Sequence, residues 1–298
     1  MARVSIIVPA RNERYLVQTV NDIQAKAAGD IEIIVVLDGR TNHAVPQENA
    51  KVLLISHAIV QGKSVSINQG AAIAKGKYLM FIDAHCSVCE GFDEILQAEC
   101  EDNWVVIPRY YMLESKTFTL KGYHRPLDYF YLAVSWNDTD PLIQSDGWMR
   151  RTLERQDGLP VDETMSLPGS LTFMTAEHFH KRLGGLAAPA VGTISTSDWL
   201  DVIMKTWLGG GKVMVNKKAW YGHMNAPPIH GYTGNPDNIR RDYIWTSRYW
   251  LENRWEDRLY DFDWLVDRFW PLPNANTKMR TEKYIWPEDW HDYYERMQ

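Results

Sequence analysis

The sequence predicts an α/β fold with a mostly parallel central sheet flanked by helices, followed by an aromatic-rich helical extension. Strongly apolar segments of strand length, at residues 4–9, 31–37, 51–56 and 78–83, alternate with segments of helical periodicity. Near-continuous apolar strands separated by helices are typical of a parallel sheet that is covered on both faces. Beyond residue 240 the composition changes, because Trp and Tyr alternate there with charged residues.

The helices between these strands are predicted from apolar spacing and from the residues that end each segment. Proline ends the first strand, and apolar residues at helical spacing then run from residue 12 to about residue 29. A helix of small residues is predicted at 62–74. After the fourth strand, a helix at 92–100 leads into another apolar strand at 104–108.

Composition and charge exclude several classes of protein. Hydrophobic residues make up 45% of the chain and charged residues 23%, which is typical of a globular protein with a sizeable core. The formal net charge of −6 provides no global attraction for nucleic acid or an anionic membrane, although a local basic patch stays open. The sequence contains neither a Gly-x-Gly-x-x-Gly fingerprint nor a Walker loop, so neither a dinucleotide site nor a P-loop NTPase is supported.

The number of cysteines and the hydropathy of the chain indicate the cellular compartment in which the protein is expected. Cys86, Cys89 and Cys100 are too few for a disulfide framework, and buried or half-buried free thiols are the expectation. No apolar segment approaches the roughly 20 residues that a membrane-spanning helix needs, and the N-terminus lacks a signal pattern. We therefore expect a cytoplasmic protein without a membrane span, in the host cytoplasm if the source is a virus.

Asp83 and His85 follow the fourth predicted strand and are candidate metal ligands. In open α/β sheets, ligands bind just outside the carboxyl ends of the strands. Side chains at i and i+2 of an extended segment point to the same side, so a carboxylate and an imidazole can converge on one divalent cation. An isolated Asp-x-His is a weak signal, because an aspartate at a strand end also serves as a cap.

Four ordered motifs together resemble the nucleotide-sugar domain of GT-A fold glycosyltransferases. They are residues 9–13 (Pro-Ala-Arg-Asn-Glu), residues 35–39 (Val-Val-Leu-Asp-Gly), the glycine-led helix from Gly62, and the strand that ends in Asp-x-His. The pattern is similar both to family 2 glycosyltransferases and to the polypeptide N-acetylgalactosaminyltransferases, whose Asp-x-His holds manganese on the donor diphosphate. The resemblance implies a donor-binding set of Pro9, Ala10, Arg11, Asn12, Glu13, Asp38, Gly62, Lys63, Asn68, Asp83, Ala84, Arg240 and Arg241.

The glycine-led helix departs from the family 2 pattern at one place. It matches at Gly62, Asn68 and Gly70, but Ser66 and Ile67 stand where the family carries Ala-Arg. The arginine contact to the base is therefore missing, and Lys63 or Arg11 is the candidate replacement for its charge. Asp38 and residues 12–13 also have simpler interpretations, as a turn residue before glycine and as a helix cap.

Downstream segments extend the resemblance to about residue 255. Residues 167–174 and 183–186 resemble the family's glycine-rich turn, strand and Gly-Gly helix end. Residues 219–223 resemble the strand that delivers a third metal ligand, here His223, for which a core or loop histidine is the alternative. Imidazole ligands favour Mn²⁺ over Mg²⁺ as the cofactor.

An acidic pair at a helix start, Asp198 and Asp201, is the catalytic candidate. In an inverting enzyme Asp198 would be the general base, with Asp201 as its substitute, whereas in a retaining enzyme this region holds sugar hydroxyls. The alternative is a carboxylate that only stabilises a helix N-terminus. Residues 225–238 form a long Pro- and Gly-rich loop that resembles a lid over the donor. Arg240 and Arg241 after it would hold the diphosphate or lie on a helix surface.

The domain division and the function follow from the resemblance. We expect a catalytic domain at 1–240, made of a nucleotide-binding half (1–110) and an acceptor half with the lid loop (111–240), then the extension at 241–298. The extension either packs its aromatic face on the domain or binds the acceptor. The predicted activity is metal-dependent transfer of a sugar, from a donor expected to be UDP-linked, to a hydroxyl of a modified DNA base, a protein or a glycan. A sugar-nucleotide nucleotidyltransferase and a non-catalytic binding protein remain the alternatives.

Overall fold

The computed structural model describes residues 3–121, 125–137, 140–187, 198–225 and 236–273. The strands are β1 (Val4–Ala10), β2 (Ile31–Asp38), β3 (Val52–His57), β4 (Tyr78–Ile82), β5 (Cys86–Val88), β6 (Trp104–Glu114), β7 (Thr119–Leu120), β8 (Phe130–Asn137), β9 (Asp140–Gly147), β10 (Val161–Glu163), β11 (Leu171–Thr175) and β12 (Lys212–His223). The helices are α1 (Leu16–Lys26), α2 (Lys63–Ile73), α3 (Phe92–Ala98), α4 (Met149–Glu154), a π-helical segment (His178–Leu183), α5 (Asp198–Leu208), α6 (Pro236–Leu251) and α7 (Phe262–Phe269).

The central sheet has the strand order β10-β12-β6-β11-β4-β1-β2-β3. Strands β3, β2, β1 and β4 run parallel, β11 is antiparallel to both β4 and β6, and β6 is parallel to β12. The predicted α/β fold with a mostly parallel sheet is confirmed. Every residue of β1 and β4 is buried, which explains why these strands read as continuous apolar segments in the sequence.

Helix α2 packs closely over β1 because its interior position 70 is a glycine. A Cβ at Gly70 would lie 2.7 Å from Cγ2 of Ile7, so any larger residue would push the helix away from the sheet. This close packing holds the start of α2, with Gly62 and Lys63, beside the carboxyl ends of β1 and β4.

Two predicted boundaries differ from the structure. The strand expected at 104–108 continues to Glu114, because β12 pairs with it in parallel up to Met112. The helix expected from residue 12 begins at Leu16, because Asn12 has a φ of 51°, which is left-handed rather than helical. Long-range strand pairing and a single backbone conformation decided these boundaries, and neither has a local signal in the sequence.

The aromatic C-terminal segment packs on the rest of the chain up to residue 273. Trp250 of α6 is fully buried, and Phe269 of α7 contacts Trp207 of α5 with ring centroids 5.3 Å apart. The interpretation of this segment as a packed aromatic face is thus confirmed for the described residues, whereas Trp286 and Trp290 lie outside them. The predicted division after residue 240 falls within α6 and stays a prediction. Among the described helices, none has the length and apolar character needed to cross a bilayer.

Candidate metal and donor site

Three predicted ligands, Asp83, His85 and His223, converge at the carboxyl end of β4. Their ligating atoms all lie within 4.8 Å of one another. Nε2 of His223 lies 3.3 Å from Oδ2 of Asp83 and 3.0 Å from Nε2 of His85. The pairing of β5 with β12 produces this convergence, because the register sets His223 opposite Cys86, the residue that follows His85.

The turn that carries His85 is held by α1. Thr19 of α1 donates its hydroxyl to the carbonyl of Ala84 over 3.0 Å and accepts from the Cys86 amide over 3.1 Å. On the other side, the Asp83 amide donates to the Ser170 carbonyl over 2.9 Å. These bonds fix the backbone on both sides of the histidine, so its ring has a defined position.

Glu13 orients the imidazole of His85. Its Oε2 lies 3.2 Å from Nδ1 of His85, and both side chains are 3% exposed. A carboxylate that accepts from one nitrogen of a histidine fixes the tautomer and makes the other nitrogen a better metal ligand. The sequence predicted Glu13 only as a donor contact or a helix cap.

The pKa shifts of two candidate ligands, Asp83 and His223, suit ligation of a cation. Burial by itself would raise the pKa of Asp83, but Lys63 and the two histidines outweigh burial and hold that pKa well below its usual range. Burial lowers the pKa of His223, although Asp83 opposes this shift, so the imidazole is neutral at pH 7. An ionised carboxylate beside a neutral imidazole is a pair of donors that suits a divalent transition metal.

Lys63 supplies a positive charge next to this cluster. Its ammonium lies 2.5 Å from Oδ1 of Asp83, and its side chain is 21% exposed. It is the first residue of α2 and follows Gly62, whose φ of 107° turns the chain into the helix. The site therefore combines a basic side chain with a cluster of atoms that could bind a metal.

A cavity of about 510 Å³ opens beside the cluster. One wall is formed by the hairpin β8–β9, another by α5, and the floor by the turn before β11. In that turn Gly169 has a φ of 74°, and a Cβ there would lie 2.5 Å from Trp199. The cavity is lined by Pro9, Glu13, Lys63, Asp83, Ala84, His85, Leu132, Ile143, Gln144, Ser145, Leu167, Pro168, Gly169, Ser170, Trp199, Leu200, Ile203, His223 and Tyr243.

The sequence matches the profile of "Glycosyl transferase family 2" over residues 5–156, which is half of the chain. The chain belongs to this family. The matched region includes Asp83 and His85 of the cluster, together with the neighbouring Glu13 and Lys63.

Two curated relatives and one solved structure extend the comparison beyond the family 2 region. The chain is 24% identical over 97% of its length to the putative polypeptide N-acetylgalactosaminyltransferase 13 of Drosophila melanogaster, and spans 55% of that protein. It is 24% identical over 85% of its length to polypeptide N-acetylgalactosaminyltransferase 5 of Caenorhabditis elegans, and spans 42% of it. The crystal structure of GalNAc-T7 with UDP, GalNAc and Mn²⁺ superposes with a TM-score of 0.66 at 19% identity, covering 84% of this chain and 49% of that one.

A bacterial relative and a bacterial structure also match. Glycosyltransferase GlyG of Streptococcus pneumoniae is 32% identical over 36% of the chain, which spans 39% of GlyG. The structure of S. aureus TarS 1–349 in complex with UDP-GlcNAc has a TM-score of 0.53 at 15% identity, covering 86% of this chain and 68% of that one. The chain spans about half the length, or less, of the curated relatives it matches. The GT-A fold expected from the motifs is confirmed by these structural likenesses.

Within this family 2 chain, several predicted donor-binding residues make contacts to the protein itself. Asp38 is fully buried and accepts from the amides of Gln61 and Gly62 at 2.7 and 2.8 Å, and its Oδ1 lies 2.8 Å from Nδ1 of His57. Its carboxylate therefore holds the start of α2. The side-chain amide of Asn68 donates to the carbonyl of Leu186 over 2.8 Å and accepts from its amide over 2.9 Å.

Of the remaining predicted donor residues, Pro9 and Ala84 line the cavity, whereas Ala10, Arg11, Asn12, Arg240 and Arg241 do not. Ala10 is buried, Arg11 is half-buried, and exposed Asn12 accepts from the Asn42 amide over 2.9 Å. Arg240 lies 4.0 Å from Asp140, and both Arg240 and Arg241 are exposed on α6.

The two catalytic candidates have different placements. Asp198 begins α5, but its side chain lies outside the described residues. Asp201 faces α6 and accepts from Nε1 of Trp250 over 2.8 Å. Burial raises the pKa of Asp201 although this bond and Lys205 oppose the shift, and Asp201 is not among the residues that line the cavity.

The sequence analysis missed the wall of the cavity that the hairpin β8–β9 forms. Gln144 and Ser145 of β9 and Tyr243 of α6 line the cavity, and Ser145 donates its hydroxyl to the carbonyl of Leu167 over 2.7 Å. The segment 140–147 contains no motif, and only pairing with β8 brings it to the site. No local pattern in the sequence identifies these residues.

Proposed function

We propose that this chain is a metal-dependent glycosyltransferase that moves a sugar from a UDP-linked donor to a hydroxyl group. The observation that carries the proposal is the cluster of Asp83, His85 and His223 at the end of β4, open to a cavity of about 510 Å³. Membership of family 2, the GT-A fold and the UDP named in two structurally similar proteins support the donor class.

In this proposal the chain's own residues hold a divalent cation, Mn²⁺ in preference to Mg²⁺, and the donor diphosphate. Asp83, His85 and His223 would be the metal ligands, and Glu13 would keep the ring of His85 in position. A cation held by these residues would neutralise the charge that a diphosphate acquires as it leaves the sugar. Asp198 stays the candidate group for the acceptor or sugar side, at the start of the helix that forms one wall.

For the acceptor, we propose a Ser or Thr hydroxyl of a protein. The two relatives that match most of the chain are named polypeptide N-acetylgalactosaminyltransferases, which favours this class over a modified DNA base or a glycan. Transfer assays with a peptide library, a hydroxymethylated DNA duplex and oligosaccharides distinguish the three classes. Binding to the duplex that weakens with added salt, together with transfer to it, would replace the protein acceptor by DNA.

Nucleotide release from a panel of nucleotide sugars tests the core of the proposal. We expect slow Mn²⁺-dependent release of UDP without an acceptor, which stops when EDTA is added. His223→Ala should abolish this release and weaken Mn²⁺ binding, whereas the exposed His43→Ala should change neither. Unchanged Mn²⁺ affinity in His223→Ala would show that His223 is not a metal ligand.

The same assay addresses the nucleotidyltransferase alternative. Such an enzyme would consume UTP and a sugar 1-phosphate and release pyrophosphate, and it generally needs a glycine-rich loop after the first strand. Residues 9–13 contain no glycine. Pyrophosphate release from UTP and a sugar 1-phosphate, without UDP release from any UDP-sugar, would overturn the transferase proposal.

A further inference from the structure

Lys63 forms an ion pair with the carboxylate that the proposed metal needs. Its ammonium lies 2.5 Å from Oδ1 of Asp83. The other oxygen of the same carboxylate, Oδ2, faces Nε2 of His223 at 3.3 Å. One oxygen of Asp83 thus contacts the Lys63 ammonium, and the other faces the imidazole nitrogens where a metal would bind.

The position of Lys63 at the start of α2 places its ammonium beside Asp83 and the cavity. The lysine lines the same cavity as Asp83, His85 and His223, and it is the first residue of α2. The start of that helix is fixed by Asp38, which accepts from the Gln61 and Gly62 amides. A lysine ammonium is a point charge on a flexible stem, so it can exchange one anionic partner for another without moving the helix.

We propose that Lys63 is a built-in counter-cation, which opposes metal binding to the empty site and then binds the donor diphosphate. Before the metal and the donor enter, the ammonium neutralises Asp83. A divalent cation at Asp83 meets like-charge repulsion from Lys63 and competition for the carboxylate. A diphosphate relieves both effects, because its oxygens accept from the ammonium in place of Asp83. This inference rests on the metal site of the proposed function.

The alternative role for Lys63 is structural, as a tie between α2 and β4. The two roles predict opposite changes in Mn²⁺ affinity when Lys63 is replaced by an uncharged residue. If Lys63 is only a tie, its removal loosens Asp83 and weakens the binding of Mn²⁺. If Lys63 is a counter-cation, its removal strengthens the binding of Mn²⁺ alone and weakens the binding of UDP.

The experiment measures both affinities in three proteins: wild type, Lys63→Met and Lys75→Met. Lys75 is the control because it is exposed just beyond the other end of α2. By calorimetry without nucleotide, we expect Lys63→Met to bind Mn²⁺ about tenfold more tightly than wild type, since a repelling charge a few ångströms away is removed. In EDTA, we expect it to bind UDP about tenfold more weakly, because a charge-assisted contact to phosphate is lost. Lys75→Met should match wild type in both.

A second variant keeps the test decisive if Lys63→Met does not fold. Lys63→Gln retains an N–H donor for Asp83 but carries no charge, so it should show the same two changes. Mn²⁺ affinity that is unchanged or weaker in the folded variants, or unchanged UDP affinity, overturns the inference. Wild type that binds no Mn²⁺ even when UDP is present overturns the proposed function instead, so the two failures are distinguishable.

Discussion

Oε2 of Glu13 lies 3.2 Å from Nδ1 of His85, on the opposite side of the imidazole from the nitrogen that faces His223. Glu13 comes from the loop after β1, and His85 from the turn after β4, and the parallel pairing of these two strands brings them together. A buried carboxylate in this position selects the tautomer that donates from Nδ1 and leaves the Nε2 lone pair for a cation. The contact therefore links a family motif near the N-terminus to the candidate metal ligands.

Glu13→Gln should weaken the binding of Mn²⁺. The amide still accepts a hydrogen bond from His85 but lacks the charge that makes the imidazole more basic, and loss of such a partner typically costs ~10–100-fold in metal affinity. Calorimetric titration of the purified protein with Mn²⁺ measures the change. Glu177→Gln, which removes an exposed carboxylate paired with Lys181, is the control and should bind Mn²⁺ like wild type. Equal affinities in Glu13→Gln and wild type would contradict this role of Glu13.

His178 should make the free energy of unfolding depend on pH. It lies in the π-helical segment, where its Nε2 is 3.1 Å from Oγ1 of Thr206, and burial, followed by Arg182, lowers its pKa from 6.5 to about 4. Between these two values the unfolded chain binds the proton and the folded chain does not. The contribution of His178 to the free energy of unfolding is therefore greatest above pH 6.5. As the pH falls from 6.5 towards 4, protonation of the unfolded chain lowers the free energy of unfolding by roughly 3 kcal/mol.

Urea unfolding of wild type and His178→Gln at pH 7 and at pH 5 measures this contribution. The lowered pKa of His223 acts in the same direction, so the comparison with His178→Gln isolates the share of His178. We expect the variant to lose less stability than wild type between the two pH values, and the exposed His180→Gln to behave like wild type. An identical pH dependence in all three proteins would show that His178 does not contribute.

Substitution of Asp198 should lower the transfer activity much more than substitution of Asp201. Asp201→Asn keeps an oxygen that accepts from Trp250, so we expect transfer to stay within about twofold of wild type, since no proton transfer is lost. Asp198→Asn should lower turnover by about 100-fold or more if that carboxylate removes the proton of the acceptor. Rates of sugar transfer under saturating donor check both. Wild-type turnover in Asp198→Asn would show that Asp198 is not the general base. Loss of turnover in a stably folded Asp201→Asn would make Asp201 the candidate general base instead.

Asn68→Ala should destabilise the fold rather than weaken donor binding directly. The side chain makes two hydrogen bonds to the backbone of Leu186, directly after Gly184 and Gly185, which both have positive φ. Loss of both bonds should lower the free energy of unfolding by about 1–3 kcal/mol. Denaturant unfolding measures the loss, and UDP affinity measured below the transition separates the two roles. Unchanged stability with weaker UDP binding would restore Asn68 as a donor contact.

The sequence by itself determined the elements whose signals are local. The apolar segments of β1, β2 and β4 are buried along nearly their whole length, so their composition alone identifies them as central strands. Asp83 and His85 were predictable because they follow a buried strand, and ligands bind at the carboxyl ends of such strands. The chain forms a turn at His85, however, rather than the extended segment that the prediction assumed. His223 was identified only through the family resemblance.

Tertiary structure decided which polar groups face the cavity and which face the protein. Asp38 and Asn68 lie in family motifs, yet the packing of α2 turns both into contacts that hold backbone. Glu13 meets His85 only because β1 pairs with β4, and Gln144 reaches the cavity only through the hairpin β8–β9. These partners are 72 residues apart in the first case, and a contact between residues so distant leaves no periodic or compositional trace in a single sequence.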